Sequence, residues 1–325
     1  MSLKLFFTQT EFEEQERGWE GCDWAVTMRE HILRRAHPAY EITDDPERSD
    51  IIVFWEPHQR SEQVRIPKLR AHPLVHKFPN RVFVVSVEDL PLGLLSGLYA
   101  ALPVWRHHPH RHRTTLFYRT QNPYLRSLRA GREVTAPPNL ASFTGSECHW
   151  VRRRLFELSD AFAEQAINIT RTPRNHFLIE QDPDLKPLHL SFIDTILDAK
   201  FSLCPRGHGP ATYRLQESMA LGRAPVIISD EWAPAAGVDW KQFAIFVPEG
   251  SLPHLPAILH EYEPRWKEMG NIAKQIYEAH FCPEVFALRV VDQIAAIYHG
   301  RRHDERHFFA HWDLILAEAE RQKAQ

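Results

Sequence analysis

Short apolar stretches rich in β-branched and aromatic residues recur along the chain, at 3–7, 51–55, 82–87, 115–119, 140–144, 176–180, 201–204, 226–229 and 244–247. Their brevity and near-continuous apolar character predict strands buried on both faces. Between them, apolar residues fall at helical spacing over 23–36, 150–164, 192–199, 211–221 and 264–280. Strand and helix in alternation predict α/β units built on parallel sheets. At Ala136-Pro137-Pro138-Asn139 no continuous helix can form and a new strand begins, which places a domain boundary between 138 and 139. The chain therefore reads as an N-terminal unit over 1–138 and a second unit over 139–299. A final helical segment follows over 300–325, after a break at Gly300-Arg301-Arg302, with Phe308, Phe309, Trp312 and Leu316 forming an apolar stripe.

Composition narrows the class. A chain of 325 residues is long for one core, since single cores stop growing near about 250–300 residues. With 43% hydrophobic and 25% charged residues and a formal net charge of -3, it carries no general attraction for nucleic acid. Cys22, Cys148, Cys204 and Cys282 stand apart without metal-ligand spacing, so reduced thiols are expected. No apolar run reaches the roughly 18–20 residues of a membrane span, and the start lacks a leader-like apolar segment. A cytoplasmic protein without a membrane span is expected, with peripheral association left open.

The densest chemistry lies in Phe201-Ser-Leu-Cys-Pro-Arg-Gly-His-Gly-Pro-Ala-Thr-Tyr-Arg-Leu-Gln-Glu217, a strand, a glycine-containing turn and a helix. Such a turn can aim backbone N–H groups at a phosphate, with Gly207 and Gly209 permitting close approach and Arg206 adding charge. Pro210 suits a first helical position, and Thr212 can cap the helix or donate to an oxygen. Arg214 and Glu217 share a helix face: the arginine can neutralise a diphosphate and the carboxylate can accept from ribose hydroxyls, or the two form an exposed ion pair. Ser229 and Asp230 end the next strand, where open α/β sheets bind ligands, or simply cap a loop.

This region resembles the exostosin-type glycosyltransferases. The likeness is carried by Phe201-Ser-Leu-Cys-Pro-Arg-Gly207, Thr212-x-Arg214-Leu-x-x-Glu217, Gly222-x-x-Pro225-Val-Ile-Ile-Ser-Asp230, Val238-Asp-Trp240 and Val247-Pro-Glu249 in order. It extends more thinly to Leu140-Ala-Ser-Phe-Thr-Gly145 and to Arg152, the arginine on the following helix. Glu88-Asp89-Leu-Pro91 with Ser96-Gly-Leu-Tyr99 has the look of bacterial members. Two departures stand out: Thr212 where the family commonly has serine, and Ala233-Pro-Ala-Ala236 in place of an apolar wedge. The resemblance implies a GT-B fold, two Rossmann-like domains facing across a cleft with a C-terminal helix crossing back. It also implies inverting transfer, without a metal, from a nucleotide-sugar, most often UDP-linked, to a glycan or polysaccharide-type hydroxyl acceptor.

In that reading Arg152, Arg206 and Arg214 stabilise the leaving diphosphate, and the base is an N-terminal carboxylate at a strand end: Asp89 first, then Glu88 or Glu56. The alternative is a nucleotide-binding partner of another glycosyltransferase that lacks activity itself. A dinucleotide enzyme has no fingerprint here, because Thr8-Gln-Thr-Glu-Phe12 follows the first strand. Arg106-His-His-Pro-His-Arg-His-Arg113 is open to three readings: a solvated basic loop, an anion-binding loop, or a zinc site that its interleaved arginines would disfavour.

Overall fold

The computed structural model describes residues 2–8, 24–35, 37–56, 68–89, 91–117, 122, 124–125, 136–172 and 186–323. The apolar stretch at 176–180 lies outside them. The chain divides into two compact units, Met1–Thr115 with Phe286–Gln325, and Leu116–Val285.

The first unit holds strands β1 (Leu3–Thr8), β2 (Tyr40–Ile42), β3 (Ile51–Glu56), β4 (Val82–Ser86), β5 (Gly97–Tyr99) and β6 (His112–Thr114). They form one parallel sheet of order β2-β1-β3-β4-β5-β6. Ile51, Ile52, Val53, Phe54 and Trp55 are all buried, as is every residue of β4, so the central strands are apolar without alternation. A Cβ at Gly97 would stand 1.9 Å from the Val84 carbonyl oxygen, so only glycine lets β5 pair with β4. Of the strand expected over 115–119, residues 118–119 lie outside the described residues; Thr115, Leu116 and Phe117 are buried outside any strand and follow the shorter, more polar β6.

The basic histidine-rich segment is not a solvated loop throughout. Arg111 is 6% exposed and grips Glu305 from the C-terminal segment, Nε to Oε1 at 3.1 Å and Nη2 to Oε2 at 2.8 Å. Its guanidinium lies 3.7 Å over the Phe308 ring. Glu305 also accepts from Ser96 Oγ at 2.5 Å, which supplies the hydrogen bonding that a buried carboxylate requires. His112 is buried beside Tyr99, and burial with the nearby Arg111 charge holds its pKa well below the ordinary imidazole value.

The C-terminal helices complete this unit. Phe286 packs edge-on against Trp55 at 6.5 Å, Tyr298 against Phe83 at 6.4 Å, and Trp312 Nε1 donates to Leu94 O at 3.2 Å. Return to the first unit thus begins at Phe286, inside the helix Pro283–Gly300, rather than at residue 300. The other division falls after Thr115 rather than after 138, because Phe117 stacks on Tyr213 at 3.8 Å and Asn122 bonds Glu217.

The second unit is a five-stranded parallel sheet of order β11-β10-β9-β7-β8. Its strands are β7 (Asn139–Gly145), β8 (Ile167–Arg171), β9 (Ala199–Pro205), β10 (Ala224–Ile228) and β11 (Ile245–Phe246). The helix Arg214–Ala220 between β9 and β10 ends in a left-handed Gly222 at φ +70°, with Gly222 N–H bonding Met219 O and Arg223 N–H bonding Ser218 O. A Cβ on Gly270 would lie 2.3 Å from the Gly222 oxygen, so a second glycine lets the helix Trp266–His280 rest on that turn.

Glu305→Gln leaves the Arg111 charge buried without its counterion. Urea unfolding of this variant is expected to show a loss of about 3–5 kcal/mol in the first unit, whereas an exposed pair such as Arg154 with Glu157 should give about 1 kcal/mol or less when broken.

Candidate functional site

In the second sheet the chain leaves β7 for β8 on one side, then crosses to β9 and continues outward through β10 and β11. The order of strands therefore reverses between β7 and β9, and the crevice beyond their carboxyl ends is where such sheets bind ligands.

Two arginines cross this crevice in opposite directions. Arg152, on the helix Trp150–Glu157 that follows β7, donates from Nε to Arg206 O at 2.9 Å and from Nη2 to Pro205 O at 3.3 Å, at the end of β9. Arg214, on the helix that follows β9, donates to Thr144 O at the end of β7. The Arg214 guanidinium lies 4.8 Å from the Phe143 ring and 4.3 Å from the Phe192 ring. Burial lowers its pKa to about 10, so it remains charged at neutral pH.

Arg206 follows β9 directly and is 7% exposed. Its Nη1 donates to Glu231 Oε2 at 2.8 Å and to Glu249 Oε1 at 3.4 Å. Glu249 and Asp230 are locked reciprocally, each backbone N–H bonding the other's carboxylate at 3.1 Å. Arg206 Nε, Arg214 Nη1, Ser229 Oγ and Thr144 Oγ1 are buried without a hydrogen-bond partner among the described residues. All four belong to the carboxyl edge of β7, β9 and β10 or to the residues that reach it, and buried polar groups are ordinarily paired.

Glu217 is 2% exposed and accepts from the Asn122 N–H at 3.1 Å, while Asn122 Nδ2 donates to His189 O at 2.7 Å. The Arg214 and Glu217 pair is therefore buried, not a solvent-exposed ion pair, and the Glu217 charge favours the charged form of Arg214. The helix begins at Arg214 rather than at 211, with Tyr213 as its first flanking residue and no side-chain cap. Thr212 accordingly does not cap it; its carbonyl accepts from Leu215 N–H at 3.2 Å, and Pro210 precedes the first turn. Gly207 runs beside Arg152, whose Nη2 lies 3.5 Å from where a Cβ would stand, and Gly209 is buried.

Sequence reasoning passed over His149, Glu231 and Asn122, and left Glu249 without a role. His149 is half-buried at the start of the helix after β7 and accepts from Val151 N–H at 3.4 Å. Burial first, then the Arg206 and Arg152 charges, lower its pKa to about 4 against the opposing pull of Glu231. Glu249 stood within the quoted Val-Pro-Glu run just after a strand, a position that could have marked it; the other three carry no local signal.

In the first unit Glu56 closes β3, and Glu88 and Asp89 follow β4. Glu88 is buried, with its N–H 3.4 Å from Ser86 Oγ, and Asp89 is half-buried. Among the described residues no three His, Cys, Asp or Glu side chains are grouped so as to hold a metal ion, and no helix is long and apolar enough to cross a membrane.

These two parallel-sheet units, with Arg152, Arg206 and Arg214 at the carboxyl edge of the second sheet, define an α/β protein. Residues 98–262, half of the chain, match the Exostosin GT47 domain, and the chain belongs to the exostosin GT47 family of glycosyltransferases. It is 31% identical over 81 residues to a probable glycosyltransferase of Arabidopsis thaliana, covering 24% of this chain and 16% of that protein. It is also 31% identical over 90 residues to the Exostosin-1 homolog of Caenorhabditis elegans, covering 27% and 24%. The matched stretch is thus about a quarter or less of those relatives' length. Among solved structures, Anabaena HepE in complex with UDP is similar over 91% of this chain and all of that one, at 9% identity and a TM-score of 0.43.

The His149 pKa lies below the ordinary 6.5, so the unfolded chain takes up the proton first as pH falls. Its contribution to stability is expected to be complete above about pH 6.5 and to be lost towards pH 4. Thermal unfolding followed across that range should decline less steeply in His149→Gln than in the wild type.

Proposed function

We propose that the protein transfers a sugar from a nucleoside diphosphate donor, UDP-linked by family resemblance, to a hydroxyl of a glycan or polysaccharide-type acceptor, with inversion and without a metal. The observation that carries this reading is the cluster of buried donors lacking partners, Arg206 Nε, Arg214 Nη1, Ser229 Oγ and Thr144 Oγ1, at the reversal point of a parallel sheet. Leaving a buried donor unsatisfied costs about 1–3 kcal/mol. Phosphate oxygens, acceptors only and highly charged, suit such a set.

On this reading Arg214, Arg206 and the loop ends around them stabilise charge as the glycosidic bond breaks and the diphosphate departs. Arg152 shapes the floor by holding the β9 carbonyls. Glu217, an acceptor-only carboxylate when ionised, accepts from the ribose hydroxyls. The acceptor proton goes to a first-unit carboxylate, Asp89, with Glu88 or Glu56 as the alternatives. Cytoplasmic placement and bacterial character are part of the same proposal, the latter resting on the runs at 88–91 and 96–99.

Incubation with a panel of nucleotide-sugars and hydroxyl acceptors, with mass detection of product, tests the reading. Turnover is expected to survive EDTA; abolition with rescue by manganese would contradict it. Glu217→Gln keeps an oxygen for Asn122 but removes charge, and nucleotide affinity measured by calorimetry should fall about ten- to hundredfold. Asp89→Asn should leave nucleotide affinity within about a factor of two and lower kcat by roughly 10²–10⁴-fold. Full activity in Asp89→Asn with loss in Glu88→Gln or Glu56→Gln would move the base and keep the reaction.

A further inference from the structure

Arg206 meets two carboxylates on a single nitrogen, and they differ in exposure and in distance. The Glu249 side chain is 8% exposed, and its carboxylate also accepts from the Asp230 N–H while its own N–H bonds Asp230 Oδ1. It is tied to the backbone on both sides and can move only if the turn after β10 moves with it. The Glu231 side chain is 35% exposed and reaches the same Nη1 at the shorter distance, 2.8 Å against 3.4 Å. Arg206 Nε meanwhile is buried with no partner among the described residues. A guanidinium offers its donors in a fixed planar fork, so whatever occupies one edge decides which edge is open to an anion.

We propose that these carboxylates act on donor binding in opposite directions. Resting on the donor site proposed above, Glu249 is a positioning residue that fixes the Arg206 fork with its Nε edge towards the crevice, and Glu231, on the Nη1 side, sets a competing negative charge against the same guanidinium. A diphosphate carries more charge and more acceptor oxygens than one carboxylate, so it competes with Glu231 for the guanidinium. Removing the Glu231 charge weakens a competitor, whereas removing the Glu249 charge loosens the residue the ligand needs. Repulsion acts in the same sense, because an ionised Glu231 held beside the bound diphosphate would oppose it.

The test compares Glu231→Gln and Glu249→Gln with the wild type in calorimetric titrations of UDP, or of whichever of ADP, GDP and CDP the wild type binds, alongside the corresponding nucleoside without phosphate. Glu231→Gln is expected to bind the diphosphate about three- to tenfold more tightly, and Glu249→Gln about tenfold more weakly. Neither should change affinity for the nucleoside, a readout that general loosening of the fold would move. Equal or weaker diphosphate binding in Glu231→Gln overturns the proposal, as does Glu249→Gln binding the diphosphate normally or losing nucleoside and diphosphate alike. If the wild type binds no nucleoside diphosphate, the donor site itself is wrong; if it binds one and the two variants shift together, the site stands and only this division of roles fails.

Discussion

The second unit depends on keeping cationic guanidinium groups out of water at the carboxyl edge of a parallel sheet. Arg214 is tolerated there because a backbone carbonyl of β7 accepts from it, two phenyl faces flank it and Glu217 lies on its own helix face. Aromatic faces and carbonyl oxygens supply negative potential without full negative charge. The arginine is thereby held without being neutralised, which a tight ion pair would do. Arg152 works in the reverse direction, from the helix after β7 to the carbonyls ending β9. Each strand end is pinned by an arginine belonging to the other.

The first unit solves a related problem for another purpose. Arg111 and Glu305 come from distant parts of the chain and are buried, with Ser96, the Leu94 carbonyl and the Phe308 ring as further partners. Such a pair stabilises little in net terms but penalises any arrangement in which one partner is missing. It therefore ties the C-terminal segment specifically to the β5–β6 region, alongside the apolar contacts of Phe286, Tyr298 and Trp312. Arginine serves as a fastener here and as a charged edge in the second unit, and the difference is whether a carboxylate is held bidentately against it.

The elements that could be read along the chain are those whose environment is uniform. Residues 51–55 of β3, residues 82–85 of β4, and β10 are buried, so burial itself writes continuous apolar runs. β8 lies at the sheet edge with three of its five residues exposed, and its Ile-Asn-Ile-Thr-Arg carries no such run. β2, β5 and β6 have three residues each, too few for a period to register. β6 misled outright: its buried His112 and Thr114 are polar, whereas the neighbouring Leu116 and Phe117 supply apolar character to a loop.

By itself the sequence determined the parallel α/β class, the strand, glycine turn and helix that carry Arg206, Arg214 and Glu217, and the ordered motifs that mark the family. Those features are local: backbone conformation and side-chain spacing within about twenty residues are enough to specify them. Only the tertiary structure decided that the Arg214 and Glu217 pair is buried, that Asn122 holds Glu217, and that Glu231 and Glu249 converge on Arg206. It likewise turned part of a basic loop into a buried ion pair and drew the helix from Phe286 onward into the first unit. Burial and pairing depend on which strands lie side by side, and a parallel sheet whose order reverses between β7 and β9 brings together residues that have no relation along the chain.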